Sequence, residues 1–344
     1  MDERIIEQLE NVPYNGDYNK SALQSIKYLI DMYDDLYGFC YSQEEWDRIN
    51  YELDRIKELG IEKVILFGFD LGNIAEAAGV NATFLGAERC SFVLNELLYL
   101  TYDSLQYNLP FERFFSKHRK FLPTFNIYVE KGDKGKILKG LYEKYGKSLF
   151  IKPKDSDDVY FTSGKPFDSE LIKETVIIAK ENQEAYEENI SILTSRELSK
   201  LGYYSFSITE VESIEFLRDA IITEQTILEK KKELFDDCYR RDIEEFNLIE
   251  EIKPYLSYTE NKLIYQEQFY EICNKVFGIS YSMADYYRRE LAKKKKENLK
   301  PLKEIIMQKF PKNGEKLFEY LYKVVPYSVS KAYVIACMQY KIEE

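Results

Sequence analysis

Histidine, cysteine and long apolar runs are scarce in this 344-residue chain, and each scarcity removes a class of function. Histidine occurs once, at His118, which excludes a metal site needing two imidazoles. Cysteine occurs five times, always singly, at Cys40, Cys90, Cys238, Cys273 and Cys337. Without a Cys-x-x-Cys pair there is no zinc or redox signature, and an odd set of scattered thiols suits reduced, mostly buried residues. No apolar run reaches the ~18 residues of a membrane span. The charged start Met1-Asp2-Glu3-Arg4 lacks the apolar core of a secretory signal, so a cytoplasmic protein without membrane contact is expected. No Ser, Cys or carboxylate motif points to His118, which reads as structural.

Tyrosine, by contrast, is abundant at 30 residues, beside many Lys, Ile and Asn. A biased genome accounts for most of them; the functional alternative is that some stack on bases. The net charge of −12 argues against a nucleic-acid partner until its distribution is considered. From Asp285 to Lys341 there are 14 Lys and Arg against 6 Asp and Glu, a local balance of +8 on an otherwise acidic chain. Such asymmetry suits a polyanion-binding face, and equally a solvated helix face.

Residues 1–41 read as an N-terminal helical extension, residues 42–225 as a mixed α+β domain, and residues 226–344 as a helical domain. Ser42 and Glu45 form a capping box, Trp46, Ile49, Leu53 and Ile56 make one apolar helix face, and Gly60 closes it. Lys63 to Phe69 is a short apolar run that reads as a strand. A helix is expected over 88–100, strands over Phe125–Val129, Leu149–Lys152 and Val159–Phe161, and a helix over Lys134–Tyr145 ended by Gly146. From Ile214 onward the pattern is helical: a long charged helix over 225–252 broken at Pro254, then helices over 261–277, 282–296, 298–309, 313–324 and 328–341. Ser282 and Asp285 read as the cap of the second of these.

The most specific constellation lies at 265–296. It runs Tyr265-Gln266-Glu267-Gln268, then Gly278, then Ala284-Asp285-Tyr286-Tyr287-Arg288-Arg289, then Lys293-Lys294-Lys295-Lys296. Arginines and lysines one turn apart present several donors to a phosphate cluster. This block resembles the fingers region of the alpha subunit of bacterial DNA polymerase III, where Y-Q-E-Q is followed by A-D-x-x-R-R-x-x-x-K-K-K. Trp46 to Gly60 is similar to that family's R-L-x-x-E-L-x-x-I helix, and Leu109 to Arg119 (L-P-F-E-R-F-F-S-K-H-R) to its L-x-F-E-R-F-L-N-P-E-R. Near the C-terminus of this chain, Ala332-Tyr333 and Gln339 match a family helix with A-Y and a following Q.

The resemblance implies an α+β, predominantly helical fold, a palm followed by an all-helical fingers-like domain. It implies DNA or a nucleotide as partner, with replisome proteins as a second class. It also implies a chain lacking the family's histidine-rich phosphoesterase domain and its clamp-binding and OB-fold regions, an expectation at odds with a processive replicase. The family's P-D-x-D-x-D metal ligands fall here on Thr124 and Asn126, and its D-F-L carboxylate on Glu215. Its phosphate-cradling G-R-G-S turn is hinted at only by Gly86, Arg89 and Ser91, with Glu88 among them. Two-metal phosphoryl transfer needs clamped carboxylates, and Mg²⁺ favours anionic oxygen. The expectation is therefore an inactive relative with no catalytic residues and no metal or cofactor (Mg²⁺ only if active), acting in replication of a phage, plasmid or other mobile element. It would bind phosphate through Arg288, Arg289, Lys293, Lys294, Lys295 and Lys296. A protein-interaction module that docks on the replisome is a second reading. An active nucleotidyltransferase using Asp70, Glu130 or Asp133 is a third.

Overall fold

In the computed structural model, which describes residues 3–12, 22–37, 41–98, 104–162, 167–178, 185–216 and 249–343, the chain is α+β and mostly helical. It divides into two units, one of residues 1–107, 119–216 and 340–344, the other of 108–118 and 217–339. The long helix expected over 225–252 lies almost wholly outside the described residues.

The first unit begins with helices α1 (Glu3–Asn11), α2 (Ala22–Tyr37) and α3 (Gln43–Leu59). The Ser42–Glu45 capping box forms as its residues require, and Gly60 ends α3 in the left-handed region at φ 62°, returning its N–H to Ile56 and Lys57. The next segment departs from expectation. Residues 63–69 are not a strand but part of helix α4 (Glu62–Ala77). Val64 to Phe69 are all buried, so the helix lacks the polar face that gives a 3.6-residue period, and a helix buried all round reads like an inner strand.

Strand β1 (Ala82–Phe84) and the short helix α5 (Phe92–Leu97) follow, the latter after a 3-10 turn at Ala87–Cys90 rather than as one helix over 88–100. Then come β2 (Asn126–Glu130), α6 (Lys134–Tyr145), β3 (Phe150–Ile151), β4 (Val159–Phe161), β5 (Ile172–Ile178), β6 (Tyr186–Ser191), α7 (Ser195–Lys200), β7 (Tyr204–Val211) and β8 (Ser213–Phe216). A mixed sheet runs in the order β1-β2-β7-β4-β3, with β2 and β7 parallel at its centre and the other pairs antiparallel. Ile127, Val129, Phe206 and Ile208 are buried, and Phe67 of α4 meets the rings of Phe125, Tyr204 and Phe206 at centroid distances of 6.2, 5.7 and 5.2 Å. Gly68 lies against the Phe125 ring, so close that a Cβ there would overlap it.

In the second unit, helices α8 (Lys253–Leu256), α9 (Gln266–Glu271), α10 (Tyr281–Ala292), α11 (Lys300–Lys309) and α12 (Gly314–Val324) enclose one apolar core that includes Leu263, Phe269, Ile272, Leu291, Leu302 and Leu321, and α13 (Lys331–Gln339) follows. Pro254 lies in the first turn of α8, consistent with its tolerance there. The helix expected over 261–277 is α9 continued by a π-helical turn, Ile272–Val276. The all-helical expectation from Ile214 fails at both ends: β8 pairs antiparallel with β9 (Tyr340–Glu343), in the first unit. The cap of α10 is Ser280, which accepts from Met283 N at 3.3 Å, not Ser282 with Asp285.

Replacing Gly68 by alanine is expected to destabilise the protein. The helix-propensity gain of up to ~1 kcal/mol is outweighed by overpacking against a rigid buried ring, typically about 1–3 kcal/mol. A lowered urea midpoint with an unchanged slope checks this; an unchanged or raised midpoint contradicts the packing.

Candidate nucleic-acid interface

The parallel pair β2 and β7 presents one apolar face to the core and one half-buried polar face. On the polar face Asn126 stands opposite Ser207 and Tyr128 opposite Thr209. Ser207 Oγ donates to Asn126 Oδ1 at 2.7 Å. Thr124 is exposed just before the strand. Glu215 is not brought to this place. It is exposed on β8, paired in register with Lys341, and its neighbour Ile214 donates its N–H to Glu130 Oε1 at 3.2 Å. Glu130 closes β2, so Glu215 lies toward the opposite end of that strand from Asn126, four residues or roughly 13 Å along. The residue the fold sets beside Asn126 is Ser207. That link depends on strand pairing and has no local sequence signal.

The other carboxylates considered do not gather either. Asp70 accepts from Lys144 Nζ at 2.6 Å and from the Tyr145 hydroxyl, at the C-terminal end of α6. Asp133 pairs with Lys136 at 2.7 Å at its N-terminal end, roughly 16 Å away by helix rise. Glu130 Oε1 also accepts from Asn81 Nδ2 at 2.9 Å. Among the described residues no group of three or more His, Cys, Asp or Glu could hold a metal ion.

The turn containing Gly86, Arg89 and Ser91 directs its donors inward. Arg89 is fully buried, donates to Phe84 O and to Thr83 Oγ1 (3.0 Å), and lies 5.5 Å from the Tyr340 ring centroid. Glu88, also buried, accepts the Gly86 N–H at 2.7 Å. Glu52 of α3 is buried at the start of α5. It accepts from Ser91 Oγ at 2.7 Å, Phe92 N at 2.9 Å and Val93 N at 3.1 Å, while Arg48 neutralises it at 2.6 Å. The backbone N–H groups that could receive a phosphate at this helix start thus already hold a carboxylate.

In the second unit the Y-Q-E-Q residues form an internal brace. Gln266 Oε1 accepts from Arg113 Nε at 2.9 Å, and its amide nitrogen donates to Ser328 O at 3.1 Å. Glu267 accepts the N–H of Lys331 at 2.8 Å, at the start of α13. Gln268 binds the N–H groups of Ile264 and Tyr265 at 2.7 and 2.8 Å and donates to Thr259 and Tyr255. Asp285 is fully buried: it accepts hydrogen bonds from Tyr270 OH (2.7 Å) and Ser116 Oγ (2.9 Å) and forms ion pairs with Arg289 Nε (3.2 Å) and, more distantly, Arg288 Nη2 (3.7 Å). Arg289 also donates to His118 O at 2.9 Å. The two arginines are therefore anchored and mostly buried, with side chains 14% and 22% exposed. Their positions three and four residues after Asp285 are the helix ion-pair spacing, a signal present in the sequence.

The lysine run is placed differently. Helix α10 stops at Ala292, short of the expected 296, and Lys293 to Lys296 form an exposed turn with Lys294 at φ 54°. Like charges three or four residues apart, as Arg289 with Lys293 and Lys293 with Lys296 would be, disfavour continuing the helix, whereas cations beside its C-terminus are favourable. Lys293 approaches Glu290 at 3.4 Å.

Two family profiles match this chain: one described as the bacterial DNA polymerase III alpha NTPase domain over residues 26–152, the other as the bacterial DNA polymerase III alpha subunit finger domain over 230–314. The chain is DNA polymerase III alpha-like. It is 31% identical over 127 residues to the DNA polymerase III subunit alpha of Mycoplasma genitalium, covering 36% of this chain and 14% of that protein. It is 29% identical over 110 residues to an error-prone DNA polymerase of Cutibacterium acnes, covering 31% and 10%. An alignment to the DNA polymerase III subunit alpha of Thermotoga maritima is 22% identical and covers 86% of this chain but 44% of the relative. The chain thus spans less than half the length of these curated relatives.

Within this polymerase III alpha-like chain, the donor set at Thr124, Asn126, Ser207 and Thr209 is neutral, and one of its oxygens already accepts an internal hydrogen bond. It does not fit a pair of Mg²⁺ ions, which need bridging carboxylates.

Replacing Asp285 by alanine leaves buried guanidinium groups without their counter-charge and is expected to cost about 3–5 kcal/mol in denaturant unfolding; a cost below 1 kcal/mol contradicts the network. Burial holds the His118 imidazole below its ordinary 6.5, the charges of Lys117 and Arg289 add to this, and Asp285 opposes it. Since the unfolded chain binds this proton more readily, its contribution to stability is present above about pH 6.5 and declines as pH falls below it. An NMR titration of the single histidine should give a midpoint below 6.5, and one above it would contradict this environment.

Proposed function

We propose that this DNA polymerase III alpha-like chain binds DNA in replication without catalysing nucleotide transfer. The observation that carries the reading is the polar face of β2 and β7, where Asn126, a neutral amide, stands opposite Ser207 and is bonded to it. Two-metal phosphoryl transfer calls for an anionic clamp, and the side chains paired at this register are neutral. The inward-facing turn, with Glu52 and Glu88 holding its donors, supports the same reading for the triphosphate.

For binding, the exposed turn Lys293–Lys296 is the better candidate surface. Arg288 and Arg289 contribute chiefly by holding the end of α10 in place through Asp285. Phosphate neutralisation by four lysines makes binding steeply salt-dependent.

Fluorescence anisotropy with a labelled oligonucleotide tests this. The wild type should bind at low salt. The variant with Lys293, Lys294, Lys295 and Lys296 changed to alanine should bind much more weakly, with a salt slope shallower by roughly 3. Primer extension with Mg²⁺ should show no incorporation. Robust incorporation would refute the non-catalytic half of the proposal, and absence of low-salt binding would refute the other.

A further inference from the structure

Three lysines at or beyond the end of α10 lie over aromatic rings supplied by α12 and the turn after it. Lys303 Nζ is 5.5 Å from the Phe318 ring centroid, Lys296 Nζ is 5.6 Å from that of Tyr322, and Lys294 Nζ is 5.9 Å from that of Tyr327. Phe318 and Tyr322, one helical turn apart, are stacked with centroids 6.3 Å apart and planes 26° from parallel. The first two pairs line a groove of about 520 Å³, with Lys300 on one wall and Glu315 and Glu319 on the other. Both rings are half-buried, and Tyr327 is 38% exposed.

A row of ring faces with an ammonium beside each one has a chemical complement. A nucleotide carries a flat π surface and, a few ångströms away, one negative charge. Contacts between exposed ammonium groups and rings are weak, so the lysines can exchange them for phosphate oxygens. The ring faces then become available to bases. Duplex DNA has its base faces covered by stacking, whereas a single strand offers them. Glu315 works against this use, because it holds Lys303 at 2.6 Å and would repel the backbone.

We propose that the groove between α11 and α12 is a single-stranded DNA platform, with Phe318 and Tyr322 stacking on bases while Lys296, Lys300 and Lys303 hold phosphates. The proposal rests on the DNA-binding reading above and assigns it a strand form and a second set of contacts.

The test compares three labelled ligands with the full chain at low salt: an oligothymidylate, an abasic strand with the same number of phosphates, and a duplex. The oligothymidylate should bind roughly tenfold or more tightly than the abasic strand, as base–aromatic stacking implies. The double variant Phe318→Leu, Tyr322→Leu keeps apolar volume but removes the π faces. It should bring oligothymidylate affinity down to the abasic level while retained abasic binding shows that the variant is folded. Glu315→Gln should tighten binding to both single strands. Equal wild-type affinity for base-bearing and abasic strands would overturn the platform while leaving phosphate binding intact. Preference for the duplex would overturn it in the same way, and failure of all three ligands to bind would remove both readings.

Discussion

A carboxylate removed from water must be matched donor for donor, and the second unit is organised around one such group. Asp285 is reached by a tyrosine from α9, a serine from the 108–118 segment and two arginines from its own helix. Its charge is tolerable in the core only because these partners converge, and their positions are fixed in turn because it is there. The Gln266–Arg113 bond ties the same segment to α9. Two motifs more than a hundred residues apart in the chain are therefore one physical object. The basic end of α10 is held where it is by this buried network rather than by the lysines themselves.

The first unit uses carboxylates in a comparable way but with a different consequence. Glu52 occupies the start of α5, and Glu88 folds back on Gly86. Both satisfy backbone N–H groups that would otherwise face solvent or an anion. On the polar face of the central strands the paired groups at Asn126 and Ser207 are neutral instead, with Ser207 Oγ bonded to Asn126 Oδ1.

Much of this was legible wherever a local rule governs. The capping box at Ser42, the left-handed Gly60, α6 with its terminal Gly146, and strand β4 follow from cap chemistry and periodicity. The basic block and the absence of aspartates at Thr124 and Asn126 are read directly from residue types. Periodicity failed for α4, because burial on every side erases the alternation that distinguishes a helix from an inner strand. It also failed for β8 and β9, whose partners lie more than a hundred residues apart in sequence. Asp285 was misread as a cap for a related reason: its i+3 and i+4 arginines were visible, but the Tyr270 and Ser116 hydroxyls that make it a buried hub were not.

The sequence by itself determined the resemblance to DNA polymerase III alpha subunits, the charge asymmetry and the chemical identity of the strand residues, because these depend on residue type and local spacing. Only the tertiary structure decided which basic residues are anchored and which are exposed, which side chain stands beside Asn126, and which rings lie beneath the lysines. Those facts depend on strand register and helix packing, and residues that meet in this way are brought together by the shared core rather than by any relation along the chain.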